Sequence, residues 1–348
     1  MMNSTIQQLK LGFFVKTKGA FSKPLYSGLG HILCFHRVLP DSGSQRITAN
    51  SGMEISPEKL EWIIRYFTVA GYEVISLDTL AEILSGAIKP EKKFIVLTFD
   101  DGYIDNYTYA YPLLKSLNVP FTIFVATDYP AKNAVMWWYF LENYILENEK
   151  VTWVDENSHD VDYTATTIDE KEKLFLKLRM QFINRKTEDI TKLLNQVMGI
   201  SSDDIREFCG ANAMSAAQIK ELSDDSLVTI GAHTISHRPL SKLSDDDAYF
   251  EISVSKQILE GITGKAIVHF AYPFGSPNEY GFREMTFAEK AGYKTSVTLQ
   301  QGNIFKGHEM HLHRLSRIPL GEKANKETLD NICNGIRHYS FNGSTKII

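Results

Sequence analysis

Cysteine is scarce: Cys34, Cys209 and Cys333 are the only three in 348 residues. They lie too far apart for a C-x-x-C metal pair or a disulfide framework. No apolar stretch approaches the roughly 18–20 residues that a membrane-spanning helix requires, which excludes a transmembrane span. A surplus of positive charge is also missing: 37 Lys and Arg stand against 42 Asp and Glu, a net charge of −5. That balance excludes the electrostatic footprint of a nucleic-acid binder. Residues 1–18 mix apolar, polar and charged side chains without the continuous apolar core of a secretory leader, so a cytoplasmic location is expected. Phe13, Phe14, Phe21, Leu25 and Leu29 sit among three lysines between Leu11 and Ile32, a composition that also suits peripheral contact with the inner face of a membrane. Internal repeats and low-complexity tracts are absent.

What remains is an ordinary globular composition, 43% hydrophobic and 23% charged, sufficient for a sizeable core. Short β-rich runs alternate with helical patterns. His31–Val38 reads as a strand; Ser56-Pro57 then caps a helix with Leu60, Ile63, Ile64 and Phe67 on one face. The almost uniformly apolar run Phe94–Phe99 suits a strand buried on both sides of a parallel sheet. Further strands are expected at 72–76, 121–125, 227–230, 267–270, 295–298 and 315–320. Helices are expected at about 109–117, 215–222, 244–259, 282–291 and 326–336. This alternation predicts an α/β fold, a distorted barrel of about seven strands, with function in the loops beyond the carboxyl ends of the strands. Residues 131–211 interrupt the rhythm with 15 acidic against 10 basic side chains. The division expected is an N-terminal extension (1–30) and a barrel (31–348) carrying an acidic, mainly helical insertion (131–211).

Three strand ends carry the candidate chemistry. Thr98-Phe99-Asp100-Asp101-Gly102-Tyr103 sets two carboxylates beside a glycine. Neighbours on a regular strand face opposite ways, so both serve one site only if the chain turns there, which Gly102 permits. His233-Thr234-Ile235-Ser236-His237 follows the strand at 227–230, and a helical turn would aim both imidazoles one way. Two histidines and a carboxylate leave positions open on a divalent metal for water or substrate. One aspartate would bind the metal and the other take a proton from the bound water. Phe270-Ala271-Tyr272-Pro273-Phe274-Gly275 ends a third strand, where the backbone N–H groups would help hold an oxyanion and Tyr272, Pro273, Phe274 and Gly275, with Tyr103, would form a wall for a sugar. A plain solvated turn and a rigid loop explain the first and third motifs equally well. Trp137, Trp138 and Tyr139 suit either sugar stacking or a hydrophobic anchor.

In order along the chain, TFDDGY, HTISH and YPFG resemble the successive motifs of the polysaccharide deacetylase family, also called NodB-homology or carbohydrate esterase family 4. The similarity spans roughly 30–128 and 212–320. It implies a distorted (β/α) barrel and a divalent metal, most often Zn2+, that hydrolyses N-acetyl or O-acetyl groups on sugars. On the resemblance, Asp100 is the general base, and Asp101, His233 and His237 are the metal ligands. The family's arginine that orients the catalytic aspartate falls at Ala271 here, and the tryptophan motif of chitin and peptidoglycan deacetylases has no counterpart in Gly292-Tyr293-Lys294-Thr295. Both departures resemble the subgroup of surface-polysaccharide biosynthesis, whose substrate would be an N-acetylated sugar, nucleotide-linked, lipid-linked or polymeric.

The group that protonates the leaving amine is open between His313, beside the last strand, and His36, at the end of the first. His308 and His269 read as structural. Four rivals remain. A metal-dependent amidase on a non-sugar C–N bond shares the scaffold. A ferrous oxygenase shares the two-histidine, one-carboxylate pattern. A non-catalytic glycan-binding protein is suggested by Ala271. A glycosidase is disfavoured, because adjacent carboxylates do not flank a bond at ~5–9 Å. Sequence does not specify the oligomeric state.

Overall fold

The computed structural model describes residues 23, 25–41, 43–154, 159–183 and 185–348. Most of the N-terminal segment considered above for membrane contact, residues 1–22 and 24, lies outside the described residues. No helix among those described is long and apolar enough to cross a membrane.

Twelve strands are described: β1 Gly30–Phe35, β2 Arg37–Val38, β3 Glu54–Ile55, β4 Glu73–Val74, β5 Phe94–Phe99, β6 Phe121–Val125, β7 Lys150–Val154, β8 Asp160–Thr164, β9 Val228–Ala232, β10 His269–Ala271, β11 Thr295–Val297 and β12 Ile318–Pro319. The main sheet runs β11-β10-β9-β6-β5-β1-β12, all parallel. Short β4 shares one edge of β5 with β6: it pairs with Phe94 and Ile95, while β6 pairs with Thr98 and Phe99. A parallel bridge between Val297 and Leu315 joins the two ends of this path, so the sheet curls into the distorted (β/α) barrel expected.

The two-residue period of the strands divides the core in two. Leu33, Phe35, Ile95, Leu97, Phe99, Ile123 and Val125 pack outward under the helices. Ile32, Phe94, Val96, Phe124, Ala271, Val297 and Leu315 form the inner cluster, joined by Leu77, Leu80 and Leu84 of helix Leu77–Leu84. Even-numbered residues of β1 and β5 therefore face the barrel axis, and Asp100 and His36 continue that parity just past the strand ends.

Local signals explain several boundaries. Ser56 accepts a hydrogen bond from Lys59 N at the start of helix Pro57–Val69, and Ser215 with Gln218 forms a reciprocal cap on helix Ala216–Asp224. The stretch expected as one strand from 31 to 38 is broken at His36, and Arg37–Val38 pairs instead with β3. The final strand is shorter than expected, and 306–310 and 312–314 form tight helical turns rather than extended chain.

Within 131–211 the chain forms helices Trp137–Glu147, Ile168–Ile183 and Thr187–Met198 and most of Ser202–Asn212. It also forms an antiparallel hairpin, β7–β8, that periodicity did not suggest. Trp137, Trp153, Phe175, Leu178 and Phe182 build an apolar cluster there, and Trp137 stacks on Phe182 with ring centroids 4.7 Å apart. The two rings supply both packing and shape at the base of this region.

Candidate active site

Asp100 and Asp101 reach one site because the chain leaves the strand between them. Asp101 adopts a left-handed backbone, φ 77°, and Gly102 follows at φ 92°. The left-handed region disfavours a side chain such as aspartate's, so the turn concentrates strain where two carboxylates must converge. The HTISH segment turns in a related way. It is a loop, not the helical turn expected, and Thr234 (φ 67°) and His237 (φ 56°) are its left-handed residues. Glu251, nearly buried on helix Asp245–Thr263, clamps this loop: Oε2 accepts from Ile235 N at 2.7 Å and Ser236 N at 3.0 Å, and Oε1 accepts from the Ser236 hydroxyl.

The resulting cluster is compact. Asp101 Oδ1 lies 3.2 Å from His237 Nε2 and 3.5 Å from His233 Nε2. One ligand atom from each of the three residues falls within 4.8 Å of the others. His233 Nδ1 donates to the Ala271 carbonyl at 2.7 Å, which leaves Nε2 with its lone pair toward Asp101. Asp101 Oδ1 is buried and has no hydrogen-bond partner among the described residues. A buried carboxylate oxygen facing two imidazole nitrogens without a donor is an incomplete polar site, and the N,N,O set fits a divalent cation such as zinc. Burial pushes the Asp101 carboxyl up, but His237 and His233 outweigh it and hold it well below the usual carboxylate range. Burial pushes His233 down, yet Asp101 and Asp100 raise it above an ordinary imidazole.

Asp100 has a different partner, one the sequence reading missed. Arg317, wholly buried, grips both oxygens: its two terminal nitrogens donate to Oδ1 and Oδ2, each at 2.6 Å. The guanidinium is itself fixed by the Thr298 carbonyl at 2.9 Å and the Thr98 hydroxyl at 3.2 Å. Burial pushes the Asp100 carboxyl up, and Arg317, His233 and His36 reverse the shift to below the ordinary value. The place left empty by Ala271 on β10 is thus filled from the segment on the far side of neighbouring β11. A signal was present: Arg317 stands two residues after inward-facing Leu315, in a run already read as strand, so its parity aims it at the axis.

These groups open into a cavity of about 270 Å³ lined by His36, Asp100, Asp101, Tyr103, His233, His237, Phe274, Trp137, Trp138 and Tyr139, among others. His36 Nε2 stands 3.9 Å from Asp100 Oδ2, and burial lowers its pKa. Tyr103 and Phe274 line the cavity as expected. Tyr272, Pro273 and Gly275 do not: Tyr272 is buried with its hydroxyl on the His313 carbonyl, and Gly275 folds the loop back on Leu299. His313 is likewise absent from the cavity, because the turn at 312–314 directs Nδ1 to the Ser296 hydroxyl at 3.1 Å. His269 is bound by Thr295 and Asp78, and His308 by the Phe305 backbone, as structural histidines. Trp137 and Trp138 both line the cavity; the first is also part of the apolar cluster beneath it.

A barrel whose mouth joins paired aspartates to two histidines has the groups of a hydrolytic site, and comparison identifies the family. Residues 87–296 match the model of the polysaccharide deacetylase family, and the chain belongs to that family. It is 22% identical to YxkH of Bacillus subtilis (strain 168) over 274 residues, 78% of this chain and 69% of that protein. The deacetylase PplD of Streptococcus pyogenes, solved in complex with acetate, aligns with a TM-score of 0.57 at 21% identity, covering 86% of this chain and 95% of that one. IcaB from Ammonifex degensii aligns with a TM-score of 0.54 at 18% identity, covering 88% and 97%. At these identities the solved structures show the shared fold.

Proposed function

We propose that this protein hydrolyses the N-acetyl group of an acetylated sugar, with a divalent metal, zinc by donor type, held by Asp101, His233 and His237. Such an ion, when bound, lowers the pKa of a coordinated water and polarises the acetyl carbonyl. The chain's own residues supply the rest. Asp100, ionised because Arg317 holds both its oxygens, accepts a proton as water adds to the carbonyl carbon. His36, at 3.9 Å from Asp100 Oδ2 and facing the same cavity, relays that proton to the departing nitrogen. The C–N bond breaks, leaving acetate and a free amine. Phe274 and Trp138, both partly exposed in the cavity lining, offer aromatic surface to the sugar ring.

The observation that carries this reading is the division of the two aspartates. Asp101 faces imidazoles and its Oδ1 has no hydrogen-bond donor among the described residues, while both oxygens of Asp100 are held by an arginine. That asymmetry suits one ligand and one base. Arg317, which takes the place Ala271 leaves empty, supports the catalytic reading over a non-catalytic glycan-binding protein. A cytoplasmic site of action, at the stage where sugars are still attached to small carriers, is part of the same proposal.

Metal analysis beside acetate release tests it. Asp100→Asn is expected to retain metal and to lose about 10²–10⁴-fold in turnover, the usual contribution of a general base; His233→Ala is expected to lose the metal. A fully active Asp100→Asn enzyme overturns the assignment.

A further inference from the structure

Besides Arg317, the arginines in and near the cavity and its neighbour fall into two groups. Arg37 is neutralised by Asp105, with Nε 2.8 Å from Oδ2. Arg46 is held by Glu142 and Glu54, each at 2.9 Å. Arg179, on helix Ile168–Ile183, lines the same cavity half-buried, yet forms no hydrogen bond or ion pair among the described residues. Glu279 acts on it only at longer range, and burial lowers its pKa. Arg185 and Arg238 line a smaller adjoining cavity of about 40 Å³ that shares Trp137, Trp138, His237 and Phe274 with the first. They too are half-buried and unpaired among the described residues.

A half-buried guanidinium gives up hydration and ordinarily regains it from a carboxylate or phosphate. On two contiguous cavities, none of these three guanidinium groups makes a hydrogen bond or ion pair to another element among the described residues. Asp128 is the acid lining the smaller cavity. Its carboxyl is pushed up to about 6 by burial and by Glu251, the reverse of what pairing with either arginine would do. The surrounding stretch, 131–211, is acidic as a whole, so the cationic lining is local to the cavities.

We propose that Arg179, Arg185 and Arg238 form a receptor for phosphate, so that the substrate is an acetamido sugar carrying a phosphate or diphosphate next to the reacting ring. This deepens, and rests on, the deacetylase reading above. Three cations exceed what a single carboxylate would satisfy, whereas a diphosphate matches them and takes guanidinium forks in bidentate fashion. A nucleotide-linked and a polyprenyl-linked sugar share this chemistry.

Two measurements decide it. Calorimetric binding of uridine diphosphate to the zinc-loaded protein is compared with Arg179→Met and Arg179→Lys. The expected result is at least tenfold weaker binding to Arg179→Met, partial recovery in Arg179→Lys, and affinity that falls with salt. Affinities equal within twofold overturn the receptor. Acetate release is then compared for a uridine-diphosphate-linked N-acetylhexosamine, a polyprenyl-diphosphate-linked one and a neutral chito-oligosaccharide. A higher kcat/KM for either phosphate-bearing substrate supports the receptor and identifies the carrier. Arg179→Met is expected to cut the ratio of phosphate-bearing to neutral kcat/KM at least tenfold, through KM. A preference for the neutral oligosaccharide that Arg179→Met leaves unaltered overturns the proposal. No acetate from any of the three overturns the deacetylase reading instead, while uridine diphosphate binding still decides the receptor.

Discussion

Removing Arg317 tests both the stability and the chemistry of the site. In Arg317→Met the Asp100 carboxylate stays buried but loses both 2.6 Å bonds, and the Thr98 hydroxyl and Thr298 carbonyl lose a donor. Breaking a buried pair from one side costs about 3–5 kcal/mol, because an uncompensated charge remains. The companion Asp100→Asn/Arg317→Met removes both charges, and the pair should be coupled by about 2–3 kcal/mol in a double-mutant cycle. The sign with pH is fixed by direction. Asp100 is depressed in the folded state, so the stabilisation is complete above the ordinary carboxylate value and is lost as pH falls through the folded one. Urea denaturation of zinc-saturated protein at pH 7 therefore reads the full effect. In Arg317→Met burial acts on Asp100 with less opposition, so the acid limb of kcat/KM should move to higher pH. Arg317→Lys keeps the charge without the fork and should fall between. Wild-type stability within ~0.5 kcal/mol together with an unmoved acid limb would refute the positioning of Asp100 by Arg317.

Three further outcomes follow from other parts of the molecule. Glu251→Ala frees the loop that carries His233 and His237 and should weaken metal binding by about 10–100-fold, with Glu251→Gln partly restoring it; competition with a chelator reads this directly. Gly231→Ala would set a methyl 2.5 Å from the Phe124 ring and 3.1 Å from the His269 carbonyl, and should cost about 1–3 kcal/mol in urea titrations. His31 is buried against Asn303 and Tyr72, and burial pulls its pKa down to about 3. Its depressed value means that stability is lost as pH falls from about 6.5, where the unfolded chain starts to take up the proton. His31→Gln should make the dependence of stability on pH between 6 and 4 shallower by up to about 1.4 kcal/mol per pH unit.

Much of the barrel was legible because parallel strands buried on both faces leave continuous apolar runs, as at Phe94–Phe99. Asp100, Asp101, His233 and His237 were legible because each pair is local in sequence and ends a strand. What local pattern did not reveal was how the chain turns there: a left-handed Asp101 precedes the expected Gly102, and left-handed Thr234 and His237 replace the helical turn expected between the histidines. Arg317 escaped notice because its partner is 217 residues away and only the strand register brings them together. His313 is a candidate by its place beside the last strand, but the tight turn at 312–314 points its ring to Ser296. The β7–β8 hairpin escaped for another reason. In β8 every residue is exposed or half-buried, so it lacks a firmly apolar face.

The pairing of Asp100 with Arg317 also bears on how the protein is made. During synthesis β5 emerges long before the segment that carries the guanidinium, so early intermediates must either keep Asp100 in water or hold it protonated. Closing a loop of this length is slow compared with forming local helices. Competence for chemistry should therefore arrive late and all at once, when the last strand docks. A nascent chain stalled before residue 317 could hold most of a barrel and still be inert.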